Sequence, residues 1–334
     1  MRKRVIVLVV LIVFILTSAT SVFAKGAKEE AKPVVAFSIM DYSIDFLVEL
    51  LASARKTASE LGIDLRDYNS QFDTVKQVNN IEDAVAQKVD CILVHPVESS
   101  AVVPGVLAAN DANIPIVAVD IQPTSGDLVC FVASDNENMG RLAAQEVVSK
   151  LKARYGTEKG TIVIFGNDMI SSMRLRKVGA RDIFSKYPGI EIVDTFDFAT
   201  KLPEAMEITE NVLQKHKKGT LDFILALNDV QTLGADSVVM SQGRTEVLIM
   251  GVDKDVDILN AIGDSKSSVI GTIVQSPADM GRIAVEQCLK AINKEKIEKF
   301  FFEVPAYAVT DLNVDEYLAT TLKLNKELDP YRVK

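Results

Sequence analysis

The chain has 334 residues, 48% hydrophobic and 25% charged, which excludes a disordered or collagen-like polymer and suggests about two globular domains. With 46 acidic against 37 basic residues the formal charge is -9, and no Lys/Arg-rich stretch or aromatic-basic face interrupts that balance, which argues against nucleic acid as a partner. There is no Trp, so stacking on any ring falls to Phe and Tyr.

In chain order, Arg2, Lys3 and Arg4 precede an apolar run from Val5 to Leu16, and Thr17 to Ala24 is rich in small residues, with Val22 and Ala24 at cleavage positions. This pattern predicts a secretory signal peptide over residues 1–24, cleaved near Ala24, and therefore an exported chain that is not membrane-embedded once processed. The apolar run is shorter than the ~20 residues a membrane span needs. No Cys lies near the cleavage region, so there is no lipobox cysteine to carry a lipid. Lys25 to Lys32 (KGAKEEAK) reads as a charged tether.

The fold is expected to begin at Pro33. Apolar, β-branched runs at Val34 to Ile39, Asp90 to Val94, Ile114 to Val119, Thr161 to Phe165, Phe223 to Leu227 and Val247 to Val252 predict buried strands. The stretches between them have helical period, for example Val75, Val78, Ile81, Val85 and Val89. The fold class is therefore α/β with parallel sheets. A strand that starts at Asp90 and one that ends at Asp120 are echoed by Asp222 and Asp253, with aspartate spacings of 30 and 31 residues. That repeat points to two similar lobes. Cys91, Cys130 and Cys288 are odd in number, have no metal or redox spacing and sit in apolar patterns, so they read as buried thiols. No metal or cofactor is expected.

In open parallel sheets ligands bind beyond the carboxyl ends of the strands. Those ends carry Asp41 and Tyr42, Asn69, His95, Asp120, Asn228 with Asp229, Asp253 and Gln275. Any single Asp or Asn there can equally be a helix N-cap. Together, carboxylates that accept hydroxyl hydrogens, amides that donate and accept, and a guanidinium fork from Arg174 and Arg176 suit a neutral polyhydroxylated ligand, and the carboxylates oppose an anion. Phe46, at the start of the first helix, either offers an apolar face to a sugar ring or staples that helix to the core. Neither G-x-G-x-x-G nor G-x-x-x-x-G-K-[ST] nor G-x-S-x-G occurs, so dinucleotide, P-loop and serine-hydrolase chemistry lose their usual support, and no catalytic residue is assigned.

Several stretches, in this order and spacing, carry a resemblance: Val-His95-Pro, Ile-Pro-Ile-Val-Ala-Val-Asp120, Ala133-Ser-Asp-Asn-Glu-Asn-Met-Gly140, Arg174-Leu-Arg176-Lys-Val-Gly179, Leu-Asn228-Asp229, Met-Gly-Val-Asp253 and Thr-Ile-Val-Gln275-Ser-Pro. From about Val34 to Thr310 the chain resembles the periplasmic sugar-binding proteins of ABC importers, nearest the ribose-binding type. The resemblance implies two Rossmann-like lobes with parallel sheets joined by a three-segment hinge, near Ser134 to Asn136, Gln275 to Pro277 and Val304 to Thr310. It divides the chain into an N-terminal lobe (33–135 plus 276–304) and a C-terminal lobe (136–275 plus 305–334).

It further implies that Phe46 stacks on a sugar, that Asp120, Asn228 and Asp253 bind hydroxyls, that Arg176 bridges ring and hydroxyl oxygens, and that Gln275 reaches the ligand from a hinge strand. Asp41, Tyr42 and Asp45 occupy a longer loop before Phe46, and the second-lobe aromatic falls at Phe198, with Thr200 the competing residue. His95 stands where ribose binders have Asn, and Ile121 where they have Arg. The implied protein is a periplasmic monomer, not an enzyme, that captures a monosaccharide or polyol between closing lobes and delivers it to an ABC permease and its ATPase. The alternative is a sugar or autoinducer receptor for chemotaxis or kinase signalling with the same pocket.

Overall fold

Runs of aliphatic and β-branched residues form strands buried on both faces, as parallel sheets covered by helices require. The computed structural model describes residues 31–198 and 201–333. The signal peptide, all of the tether but Ala31 and Lys32, and Thr200 lie outside those residues.

The first sheet contains β1 (Val34–Ile39), β2 (Asp64–Asn69), β3 (Cys91–Val94), β4 (Ile116–Val119), β5 (Cys130–Ala133) and β11 (Phe301–Glu303), ordered β11-β5-β4-β3-β1-β2. Every pairing in it is parallel. The second contains β6 (Lys159–Gly166), β7 (Gly189–Asp197), β8 (Phe223–Ala226), β9 (Leu248–Val252), β10 (Val269–Val274) and β12 (Tyr307–Thr310), ordered β12-β10-β9-β8-β6-β7. Only β12 runs antiparallel. The two orders match strand for strand, the geometric form of the aspartate repeat.

Four strands carry no clear sequence signal. β11 and β12 are too short to show a period, β5 is a four-residue run directly after a loop, and β7 is a half-exposed edge strand whose pairing with β6 shifts register at Ile162/Val163.

Helices fill the crossovers: α1 (Asp45–Leu61), α2 (Thr74–Ala86), α3 (Val103–Asp111), α4 (Asn136–Tyr155), α5 (Ser171–Phe184), α6 (Leu202–Lys215), α7 (Asp229–Ser241), α8 (Val256–Ala261), α9 (Pro277–Ile292) and α10 (Val314–Leu328). Local chemistry sets their starts. The Asp73 carboxylate accepts from Val75 N and Lys76 N at the head of α2, and Ser276 caps α9, whose first residue is proline. Among the described residues no helix is long and apolar enough to cross a membrane. Cys91, Cys130 and Cys288 are free and buried, and burial pushes the Cys130 thiol up to about 12.

The chain passes between the sheets after β5, after β10 and between β11 and β12. Near the second passage a buried ion pair ties the two together: Lys254 Nζ, just beyond β9, lies 2.7 Å from Glu49 Oε1 on α1, with both side chains under one-tenth exposed. Glu49 also accepts from Ala278 N in the first turn of α9, at 3.2 Å. Lys254→Met leaves that carboxylate buried without its cation, and a loss of about 3 kcal/mol is expected in urea unfolding. Pairing it with Glu49→Leu is expected to recover most of the loss, and additive losses would contradict a direct coupling.

Candidate functional site

At the carboxyl ends of β4 and β9 the backbone turns in the same unusual way. Asp120 has φ 62° and Asp253 φ 83°, the left-handed region that non-glycine residues seldom enter, though Asp tolerates it better than most. Each still donates its N–H into the sheet, Asp120 to Val132 O and Asp253 to Ile273 O, both at 2.8 Å. The sheet ladder therefore continues while the chain breaks from strand geometry and leaves a carboxylate at the edge. Such strain persists where the surroundings fix it, and it clusters at functional sites.

Asp253 is held on both oxygens. Gln275 Nε2 donates to Oδ1 at 2.7 Å, and Arg176 Nη1 lies 3.3 Å from Oδ2. Arg176 also donates through Nε to Asn136 Oδ1 and through Nη1 to Leu227 O, both at 2.8 Å, and is 2% exposed. It can be placed so deeply because α4 and α5 meet backbone to backbone at Gly140 and Gly179. Asp120 is less well served. His95 Nε2, from the loop after β3, is 3.3 Å from Oδ2, and Oδ1 has no partner among the described residues. Gln77 fixes that loop from α2 by donating to His95 O and accepting from Val97 N.

Asp253, Gln275, Arg176, Asp120 and His95 line one cavity. The first sheet's elements bring Phe46, His95 and Asp120 to it, and the second's bring Arg176, Asn228, Asp253 and Gln275. Phe46 and His95 have ring centroids 6.5 Å apart. Asn228 is both a cap and a lining residue: Oδ1 accepts from Gln231 N at 2.9 Å at the head of α7.

Five other sequence candidates lie elsewhere. Asp41 accepts from the Ser43 amide at 2.7 Å and from its hydroxyl, closing its own loop. The Tyr42 phenol is hydrogen-bonded to Asp67, itself held by Arg55 at 2.8 Å, and burial with that bond raises its pKa. Asp45 heads α1 and lines neighbouring cavities. Phe198 packs edge-on against Phe165 at 5.3 Å, inside the core of the second sheet. Arg174, paired with Arg176 in the sequence reading, instead donates to Asp168 O at 2.8 Å and does not line the cavity.

Asp229, named at its strand end but not assigned to the ligand, also lines the cavity, as do Ser172 and apolar residues including Met40, Ile44, Met173 and Ile121. Asp229 shares the strand-end position that marked Asn228, so the signal was present. Its carboxyl is raised well above the usual 3.8 by burial and then by Asp253 and Asp255. Burial likewise raises Asp253, against the opposing pull of Arg176.

A raised value means that the folded chain holds a proton the unfolded chain releases. The penalty on folding therefore begins as pH climbs past 3.8 and is complete above the raised value. Asp229→Asn keeps the acceptor for Asp255 N, which lies 3.2 Å from Oδ1. The variant is expected to match the wild type near the bottom of that window and to exceed it in stability above, measured by urea unfolding from about pH 3 to 8. A constant offset across the range would contradict this.

A two-sheet α/β fold with strand-end polar groups meeting in one cavity defines a class of two-lobed solute-binding proteins. Residues 35–296 match the family model described as periplasmic binding protein domain, and the chain belongs to that family. It is 29% identical over 304 residues to the ribose import binding protein of Bacillus subtilis (strain 168), covering 90% of this chain and 96% of that protein. Identity to the ribose import binding protein of Escherichia coli (strain K12) is also 29%, over 85% and 93%.

Among solved structures, an ABC transporter solute binding protein from Mycobacterium smegmatis with bound glycerol superposes with a TM-score of 0.80 at 27% identity, covering 86% of this chain and 97% of that one. One from Bacillus halodurans with bound myo-inositol gives 0.79 at 26%, covering 86% and 98%. The fold is that of a type I periplasmic binding protein, of the ribose-binding kind.

Proposed function

We propose that this chain captures a monosaccharide or small polyol in the cavity between its two sheets and delivers it to an ABC permease and its ATPase. One observation carries the reading. Asp120 and Asp253, from equivalent strand ends of the two sheets and both in the left-handed region, line the same cavity. A ligand touching both favours whichever arrangement brings them together, which is the requirement for ligand-driven closure. The relatives that bind ribose, glycerol and myo-inositol support the ligand class.

In this reading the lobes comprise 33–135 plus 276–304 and 136–275 plus 305–334, and the three passages form the hinge. Residues 1–24 direct export to the periplasm, where the processed chain acts as a monomer and returns its ligand chemically unchanged. The site comprises Phe46, His95, Asp120, Arg176, Asn228, Asp253 and Gln275, with Asp229 added.

Thermal unfolding of residues 25–334 against pentoses, hexoses, inositols and small polyols tests this. Ligand at 1,000 times its dissociation constant adds ~4 kcal/mol, and each kcal/mol moves the midpoint by roughly 2–4 °C. At least one member is expected to raise the midpoint by about 8 °C or more, and Asp120→Ala is expected to weaken its binding at least about tenfold. A flat panel with ligand-free protein would contradict the reading.

A further inference from the structure

The charge of the cavity does not balance. Three carboxyl groups line it, Asp120, Asp229 and Asp253, against the single guanidinium of Arg176; Arg176 pairs with Asp253, burial favours the protonated form of Asp229, and Asp120 has only the His95 ring beside it. The second arginine expected from the sequence, Arg174, faces Asp168 O instead, and the nearby Lys254 is paired with Glu49. Outward, a contiguous cavity that shares Ile44, Asp229 and Val230 adds Asp45, Asp255 and Asp257 against Lys201 alone.

The hydrogen-bonding capacity is lopsided in the same direction. Two buried acceptor oxygens among the lining residues have no partner among the described residues, Asp120 Oδ1, on a residue 6% exposed, and Gln275 Oε1, on a residue 1% exposed; His95 Nδ1, an acceptor when the neutral ring donates through Nε2 to Asp120, also has none. Arg176 has already spent Nε and Nη1 on the protein. Unpaired negative charge and unmet acceptors in a buried site are both costly, and a donor-only cation relieves both. An ammonium has three donors and no acceptor, whereas a hydroxyl brings one donor and an acceptor that has few donors to meet.

We propose that the ligand is a monosaccharide or polyol bearing a protonated amine in place of one hydroxyl, with the ammonium received by Asp120. Asp120 is the carboxylate that fits this part. Asp253 has both oxygens engaged by Gln275 and Arg176, whereas Asp120 has one free oxygen, the apolar Ile121 as its neighbour in sequence and only His95 beside it. The inference rests on the small-polyol reading and narrows it.

Calorimetric titration at pH 7 with matched pairs tests it: D-glucosamine with D-glucose, D-galactosamine with D-galactose, and scyllo-inosamine with scyllo-inositol. In every pair with measurable binding the amine is expected to bind about tenfold or more tightly than its hydroxyl partner. Asp120→Asn is expected to bring the two within about threefold. Ile121→Arg, which places a guanidinium beside Asp120, is expected to reverse the order. Hydroxyl members binding as tightly as amines overturns the amine proposal and leaves the polyol reading standing. An amine preference that survives Asp120→Asn overturns the assignment to Asp120. No binding by any of these six, in ligand-free protein, overturns the amine proposal and leaves the polyol reading to the thermal panel.

Discussion

Replacing Arg176 by Ala is expected to lower the stability of the folded chain by about 4 kcal/mol and to abolish ligand capture. The side chain is 2% exposed and joins Asn136, the carbonyl of Leu227 and the carboxylate of Asp253. Truncation leaves three acceptors facing a void, one of them charged, and each unmet group costs on its own account. With roughly 2–4 °C per kcal/mol in a chain of this size, the melting midpoint should fall by about 8–16 °C, read by circular dichroism. Arg176→Lys is the informative companion. It keeps the charge but not the planar fork, so it should recover part of the stability and little of the binding. A melting midpoint unchanged in Arg176→Ala would mean that the buried network is not what holds the strand ends together.

The second large effect lies one turn away and involves no polar atom of the cavity. Gly179→Ala would place its Cβ 1.8 Å from Glu137 O, and Gly140→Ala would place one 1.9 Å from Arg176 O. Both contacts are with backbone, so no side chain can rotate away, and α4 and α5 must separate. The expected loss for Gly179→Ala is about 3 kcal/mol or more, at or above the upper end for overpacked cores. Because Arg176 Nε bonds Asn136 across this same contact, affinity should fall together with stability. Gly62→Ala serves as the control. Its φ of 71° strains an alanine, but nothing lies within 4 Å of the added Cβ, so only about 1 kcal/mol should be lost. A loss at Gly179 no larger than at Gly62 would show that the two helices part at little cost, contradicting a rigid contact between them.

These effects also mark which parts of the molecule the sequence exposes. Strands buried on both faces, such as Val34–Ile39 and Leu248–Val252, are legible because continuous burial demands continuous apolar runs. Asp120 and Asp253 were legible because the repeat places an acid at the same strand end twice. The edge strands Gly189–Asp197 and Tyr307–Thr310 were not, since one solvated face dilutes the pattern. Phe198 and Tyr42 show why residue type and neighbourhood do not fix a site. One is drawn into the core against Phe165 and the other to Asp67, and both partners are set by strand packing that spacing alone does not encode. The separate fates of Arg174 and Arg176 follow from helical geometry, which turns residues two apart to different faces. Gly140 and Gly179 stood inside the quoted stretches, yet their meaning needs the two helices side by side.

A crystal structure of residues 25–334 with the strongest binder from the thermal panel would test most directly whether one ligand joins the two sheets. The expected result is a single molecule in the cavity, within hydrogen-bonding distance of Asp120 on one side and of Arg176 or Asn228 on the other. A ligand bound elsewhere, or held by residues of one sheet alone, would contradict capture between the lobes.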